Sequence, residues 1–93
     1  MKELDELIEK LDKLFSDPDN FDKEGCTYDT EHVDIDPYGA LVQNNTCVPM
    51  GKIAYMREHG GYEITCLDRD SFGWLAAGIS KKINGKLFML IFE

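Results

Sequence analysis

The sequence predicts an α+β domain, with an N-terminal amphipathic helix packed on a mainly antiparallel sheet of about four to five strands. Three observations lead there. Apolar residues recur at helical spacing over residues 2–15, an Asn-Gly pair separates two apolar segments near the C-terminus, and Leu87–Phe92 is apolar at every position. With 93 residues and 43% hydrophobic content, the chain suits a single domain with one modest core. It divides into an acidic helix, loop and first strand over 1–36 and a near-neutral, sheet-rich remainder over 37–93.

The helix at 2–15 rests on Leu4, Leu7, Ile8, Leu11, Leu14 and Phe15, spaced i, i+3, i+4, i+7. Glu3, Asp5, Glu6, Glu9 and Asp12 fall on the opposite side, and Glu6–Lys10 and Glu9–Lys13 are spaced as i, i+4 ion pairs. Ser16-Asp17-Pro18 ends it, because a residue before proline disfavours the helical region. Residues 16–30 read as a polar loop with Phe21 tucked beneath. Over 31–36, Val33 and Ile35 alternate with His32, Asp34 and Asp36, which predicts a half-buried strand. Pro37-Tyr38-Gly39 reads as a turn and Ala40–Val42 as a short apolar run.

Residues 52–58 and 62–67 predict a hairpin around His59-Gly60-Gly61; a helix at 50–58 ending at Gly60 is the alternative. Residues 74–82 and 86–92 predict a second hairpin around Asn84-Gly85. A helix over 71–83, capped by Asp70, is its alternative, weakened by Gly73 and Gly78. Leu87–Phe92 should be a central strand covered on both faces, and Cys66 a small core residue.

The formal net charge is -8, yet residues 1–36 alone carry -9 and residues 37–93 carry +1. An acidic surface repels nucleic acid and anionic membrane and attracts basic partners. The N-terminus lacks an apolar leader and no apolar run approaches a bilayer span, so a cytoplasmic protein without a membrane partner is expected. Three cysteines in no disulfide pattern are expected to be free thiols.

Metal and catalytic motifs are weak. An EF-hand count from Asp17 puts Phe21 at position 5, Asp22 at 6 and Tyr28 at 12, where an oxygen ligand, Gly and Glu are needed. Cys26, His32, Cys47, His59 and Cys66 show no paired zinc-ligand spacing. No family motif marks a cysteine nucleophile. The sequence thus predicts no metal, no cofactor and no enzyme. The candidate site is instead an array of carboxylates, with His32, Asp34 and Asp36 projecting from one strand face about 7 Å apart. Asp17, Asp19, Asp22, Glu31, Asp34, Asp36 and Tyr38 are the expected partner-binding residues. Reversing the charges of Asp34 and Asp36 is expected to leave the melting temperature nearly unchanged, since exposed charges contribute little to stability.

In size and in the acidic residues Glu3, Glu6, Glu9, Asp17, Asp19, Asp22, Asp34 and Asp36, the chain resembles the small acidic inhibitors of phages and mobile elements, which include anti-CRISPR and other DNA-mimic proteins. The resemblance covers the first 36 positions and carries no shared motif. It implies a binding protein that masks a basic surface, such as that of a nuclease or another nucleic-acid-binding enzyme, without contacting nucleic acid itself. Tyr38 or Phe21 would serve as an aromatic anchor. The alternative is a structural or regulatory homo-oligomer, a homodimer at its simplest, assembled through the apolar C-terminal strand.

Overall fold

The computed structural model describes residues 1–93. Helix α1 spans Lys2–Phe15, α2 spans Pro37–Leu41 and α3 spans Met50–Gly60. Strands β1 (Cys26–Tyr28), β2 (Glu63–Arg69), β3 (Leu75–Ile83) and β4 (Lys86–Phe92) form one sheet in the order β1-β4-β3-β2. β2 and β3 pair antiparallel, as do β3 and β4, whereas β1 lies parallel to β4. The predicted α+β architecture is the observed one, with four strands in a mixed sheet.

α1 buries the six residues its spacing picks out: Leu4, Leu7, Ile8, Leu11, Leu14 and Phe15. They join Ala77 and Ile79 of β3 and Phe88, Leu90 and Phe92 of β4 in a single core, which also takes in Met56 and Tyr62. Edge-to-face rings run from Tyr62 to Phe15, from Phe15 to Phe21 and from Phe21 to Phe88, with centroids 5.0–5.1 Å apart. Such geometry places the positive ring edge on the negative face of the next ring. Phe21 therefore closes the core from beneath its loop, as expected, and is unavailable as an external anchor.

The β3–β4 hairpin turns at Asn84-Gly85, both at positive φ (53° and 83°). This is the backbone of a type I′ turn, whose twist matches the strands it joins. β4 lies inside the sheet, between β1 and β3, as its sequence predicts. Only one of its faces is covered, however. Phe88, Leu90 and Phe92 are buried under the helices, while Leu87 is 47% exposed on the opposite side, together with half-buried Met89 and Ile91. Met89 lies across Gly78 on that open face, so a side chain added there would come within 2.7 Å of the Met89 sulfur.

Several local expectations are corrected. Residues 31–36 are not a strand. A 3₁₀ helix at Asp29–Glu31 leads into a second tight turn, closed by the Ile35 N–H on the His32 carbonyl, and Val33 is 91% exposed. His32, Asp34 and Asp36 consequently share no strand face. Pro37-Tyr38-Gly39 is the first turn of α2, with proline where the missing N–H costs nothing, and Ala40 and Leu41 finish that helix. Residues 50–60 form α3, so the hairpin around His59-Gly60-Gly61 does not exist. Gly61 ends the helix in the left-handed region (φ 73°), and β2 pairs with β3 instead. The 16–30 loop contains the short strand β1. Cys66 is exposed at the sheet edge rather than in the core. The two predicted pairs on α1 do not close; the ion pairs are Met1–Asp5 (3.9 Å) and Arg57–Glu63 (2.9 Å).

Asp36 caps α2, its Oδ1 accepting from the Gly39 N–H at 3.0 Å. This bond argues against the expectation that the Asp36 charge adds little to stability. Asp36→Ala should cost about 0.5–2 kcal/mol, the usual worth of an N-cap side chain. Urea unfolding measures it as a lower midpoint at unchanged slope; a midpoint that stays put would show the cap is idle.

Candidate partner-binding surface

The acidic residues divide into those that hold the fold and those that are free. Asp17 accepts the Asp19 N–H at 3.0 Å and starts the 3₁₀ helix at Pro18–Asn20. Asp22 accepts from the Glu24 and Cys26 N–H groups, both at 2.9 Å, and so shapes the entry to β1. On α1, Asp12 accepts from the Tyr62 hydroxyl at 2.7 Å, and Asp5 accepts from the Tyr55 hydroxyl. Burial, reinforced by the Asp12 hydrogen bond and charge, pushes the Tyr62 phenol well above its ordinary range. It therefore remains a donor at every physiological pH.

Glu31 accepts from Thr27 Oγ1 at 2.9 Å, and His32 Nε2 lies 3.1 Å from the same oxygen. Thr27 Oγ1 thus bonds both side chains at once, donating to Glu31 and lying within hydrogen-bond distance of the His32 ring. Thr27 is buried on β1, so this cluster fastens the 29–32 turn to the sheet and exposes no nucleophile.

Asp19 and Asp34 are exposed and bond to no other side chain, and the same holds for Glu3, Glu6 and Glu9 on the outer face of α1. Two shallow grooves gather part of this set. One, between α1 and α2, is lined by Glu3, Glu6, Asp36 and Lys10. Its neighbour sets Lys10 and Lys13 of α1 beside Glu31, His32 and Asp34. Asp36 thus meets the acidic Glu3 and Glu6 of α1, whereas Glu31 and Asp34 face its lysines, Lys10 and Lys13. Asp17, Asp19 and Asp22 line neither groove.

Tyr38 is only partly exposed. Its hydroxyl donates to Asn45 Oδ1 and its ring packs against Trp74 (5.5 Å between centroids) and Phe92 (6.5 Å). It supports a surface rather than presenting one. Phe72 and Trp74 are the exposed aromatics the sequence reading passed over, at 85% and 50% exposure. Phe72 fits a helical apolar spacing in sequence, which conceals its outward position; the turn pattern Asp70-Ser71-Phe72-Gly73 is the signal that could have found it.

Cys26, Cys47 and Cys66 are free thiols. No three His, Cys, Asp or Glu side chains converge in a geometry that could hold a metal ion. No helix is long and apolar enough to cross a membrane. These features define a small α+β domain with a carboxylate-rich helical flank and an aromatic loop at one end of its sheet. No protein-family model matches the chain, and neither a curated protein nor a solved structure does.

Proposed function

We propose that this chain is a non-catalytic binding protein whose acidic helical flank masks a basic surface on a nuclease or another nucleic-acid-binding protein, in the manner of a phage-encoded inhibitor. The carrying observation is that residues 1–36 hold a net charge of -9 while Glu3, Glu6, Glu9, Asp19 and Asp34 remain exposed and without side-chain partners. Fixed carboxylates on a rigid helix act on a basic groove as a phosphate backbone does, steering the encounter and displacing counterions. Asp17, Asp22 and Asp36 contribute charge to this field while bonding to backbone amides.

A second reading, a homo-oligomer built through the C-terminal strand, is favoured by the uncovered sheet face. There Leu87 and Tyr28 are nearly half exposed beside Met89 and Ile91.

The test is a variant carrying Glu6→Lys, Glu9→Lys and Asp34→Lys, residues whose carboxylates bond nowhere within the fold. The parent, immobilised and exposed to a lysate of the cell that makes it, should retain a nucleic-acid-binding protein that duplex DNA displaces. With a Debye length of about 8 Å at physiological ionic strength, association should slow as salt rises. The variant should associate at least about tenfold more slowly at low salt. Kinetics that ignore both salt and charge reversal would remove the masking mechanism. Sedimentation showing only self-association would favour the oligomer.

A further inference from the structure

We infer that the loop at residues 70–74 is the anchor of the partner interface: Phe72, with Trp74 beside it, enters an apolar slot bordered by lysine or arginine on the basic partner. The inference rests on the masking function proposed above and adds a contact outside the acidic third of the chain.

The loop is pinned from several directions. Asp70 Oδ1 accepts from the Phe72 N–H at 2.8 Å and the Trp74 N–H at 2.9 Å. The Gly73 N–H donates to the Asp70 carbonyl at 3.0 Å, and the Asp70 N–H donates to the Trp74 carbonyl at 2.9 Å. Arg69 Nη1 donates to the carbonyls of Asn45 and Gly73, and its Nη2 to that of Thr46. Asn45 Nδ2 donates to the Gly73 carbonyl, while its Oδ1 accepts the Leu75 N–H. None of these bonds uses the side chain of Phe72 or Trp74.

A connection whose only task is to join two strands needs no exposed aromatics. The chain closes its other hairpin with just Asn84-Gly85. Between β2 and β3 it holds a five-residue segment rigid with Phe72 facing solvent, where that side chain adds nothing to the core. Rigid aromatics carry a large share of binding energy at interfaces, and a loop already ordered loses little entropy on docking.

The surroundings state the partner's chemistry. Arg69 keeps its charge while held on backbone carbonyls, and carboxylates outnumber it nearby: Asp68 at the β2 bulge, Asp70, whose Oδ1 accepts two loop amides, and Glu93 directly after Phe92, whose register partner is Ala77. A complementary surface combines an apolar slot with a basic border. Anionic lipid and a second copy of the same loop both bring like charge to it. The loop is also continuous with the acidic flank: Trp74 packs on Tyr38, and Tyr38 follows Asp36, which lines the α1–α2 groove with Glu3 and Glu6.

The experiment places photoreactive benzoylphenylalanine at position 72 of the full chain and irradiates it in the producing cell's lysate, with Phe72→Ala and the triple charge variant assayed in parallel. Expected is a crosslink to a peptide of a nucleic-acid-binding protein in which lysine or arginine borders apolar residues. Phe72→Ala should release that protein about tenfold faster at an unchanged melting temperature. A covalent dimer of the chain, adducts to phospholipid, a crosslink to a non-basic surface, or no crosslink at all would each overturn the anchor. If the anchor fails while the charge variant still loses the partner, the masking function stands without it. If neither substitution weakens retention, both fall.

Discussion

Phe92→Ala is expected to lower the free energy of unfolding by about 3–5 kcal/mol, the usual cost of truncating a buried phenylalanine. Phe92 is wholly buried at the end of β4, edge-on to Tyr38 and in the same core as Leu90 and the apolar stripe of α1. Removing the ring leaves a cavity walled by a strand and helices that cannot collapse into it without breaking the β3–β4 register. Domains of this size hold roughly 5–15 kcal/mol in all, so the variant should be near its folding threshold at room temperature. Urea unfolding followed by far-ultraviolet circular dichroism reads the loss directly. A change below about 1 kcal/mol would mean that the end of β4 is not part of the cooperative core.

Leu11→Ala should cost about 2–5 kcal/mol for a related reason. Leu11 has no exposed surface and sits midway along the buried stripe of α1. This helix has no side-chain cap at its N-terminus, and helices of its length are marginal alone in water. Docking therefore holds it, and a hole at its centre weakens the docking itself. A denaturation midpoint equal to that of the parent would show a helix formed but not packed.

The elements that could be read from the sequence are those whose pattern is dense and local. α1 offers six apolar residues at helical spacing, and the β3–β4 hairpin offers long apolar strands around a two-residue turn that only Asn, Asp and Gly favour. Residues 31–36 misled because Val33 and Ile35 alternate over too short a span to define a face; Asp36 and Pro37 were the stronger signal, an N-cap followed by an N1 proline. α3 buries fully only Met56, so it carries no stripe that a periodicity argument can detect. β1 is three residues long, two of them polar or weakly apolar, and it exists because β4 offers a partner from the far end of the chain. Of the candidate surface, the acidic charge was legible because charge needs no geometry. Which carboxylates are caps was legible in principle from Asp17-Pro18 and from Asp36 three residues before Gly39. The outward turn of Phe72 left only the turn pattern Asp70-Ser71-Phe72-Gly73 as a trace, since its fixing depends on Arg69 and Asn45 reaching across from separate segments.

The parallel pairing of β1 with β4 sets an order of events during synthesis. Residues 26–28 wait for residues 89–91 before they have any strand neighbour, and β3 lacks its inner partner over the same interval. Until β4 has been made, the stripe on α1 has only the β2–β3 pair to cover it, without Phe88, Leu90 and Phe92. The apolar helix face is then only partly covered, and closing so long a loop is slow compared with local pairing.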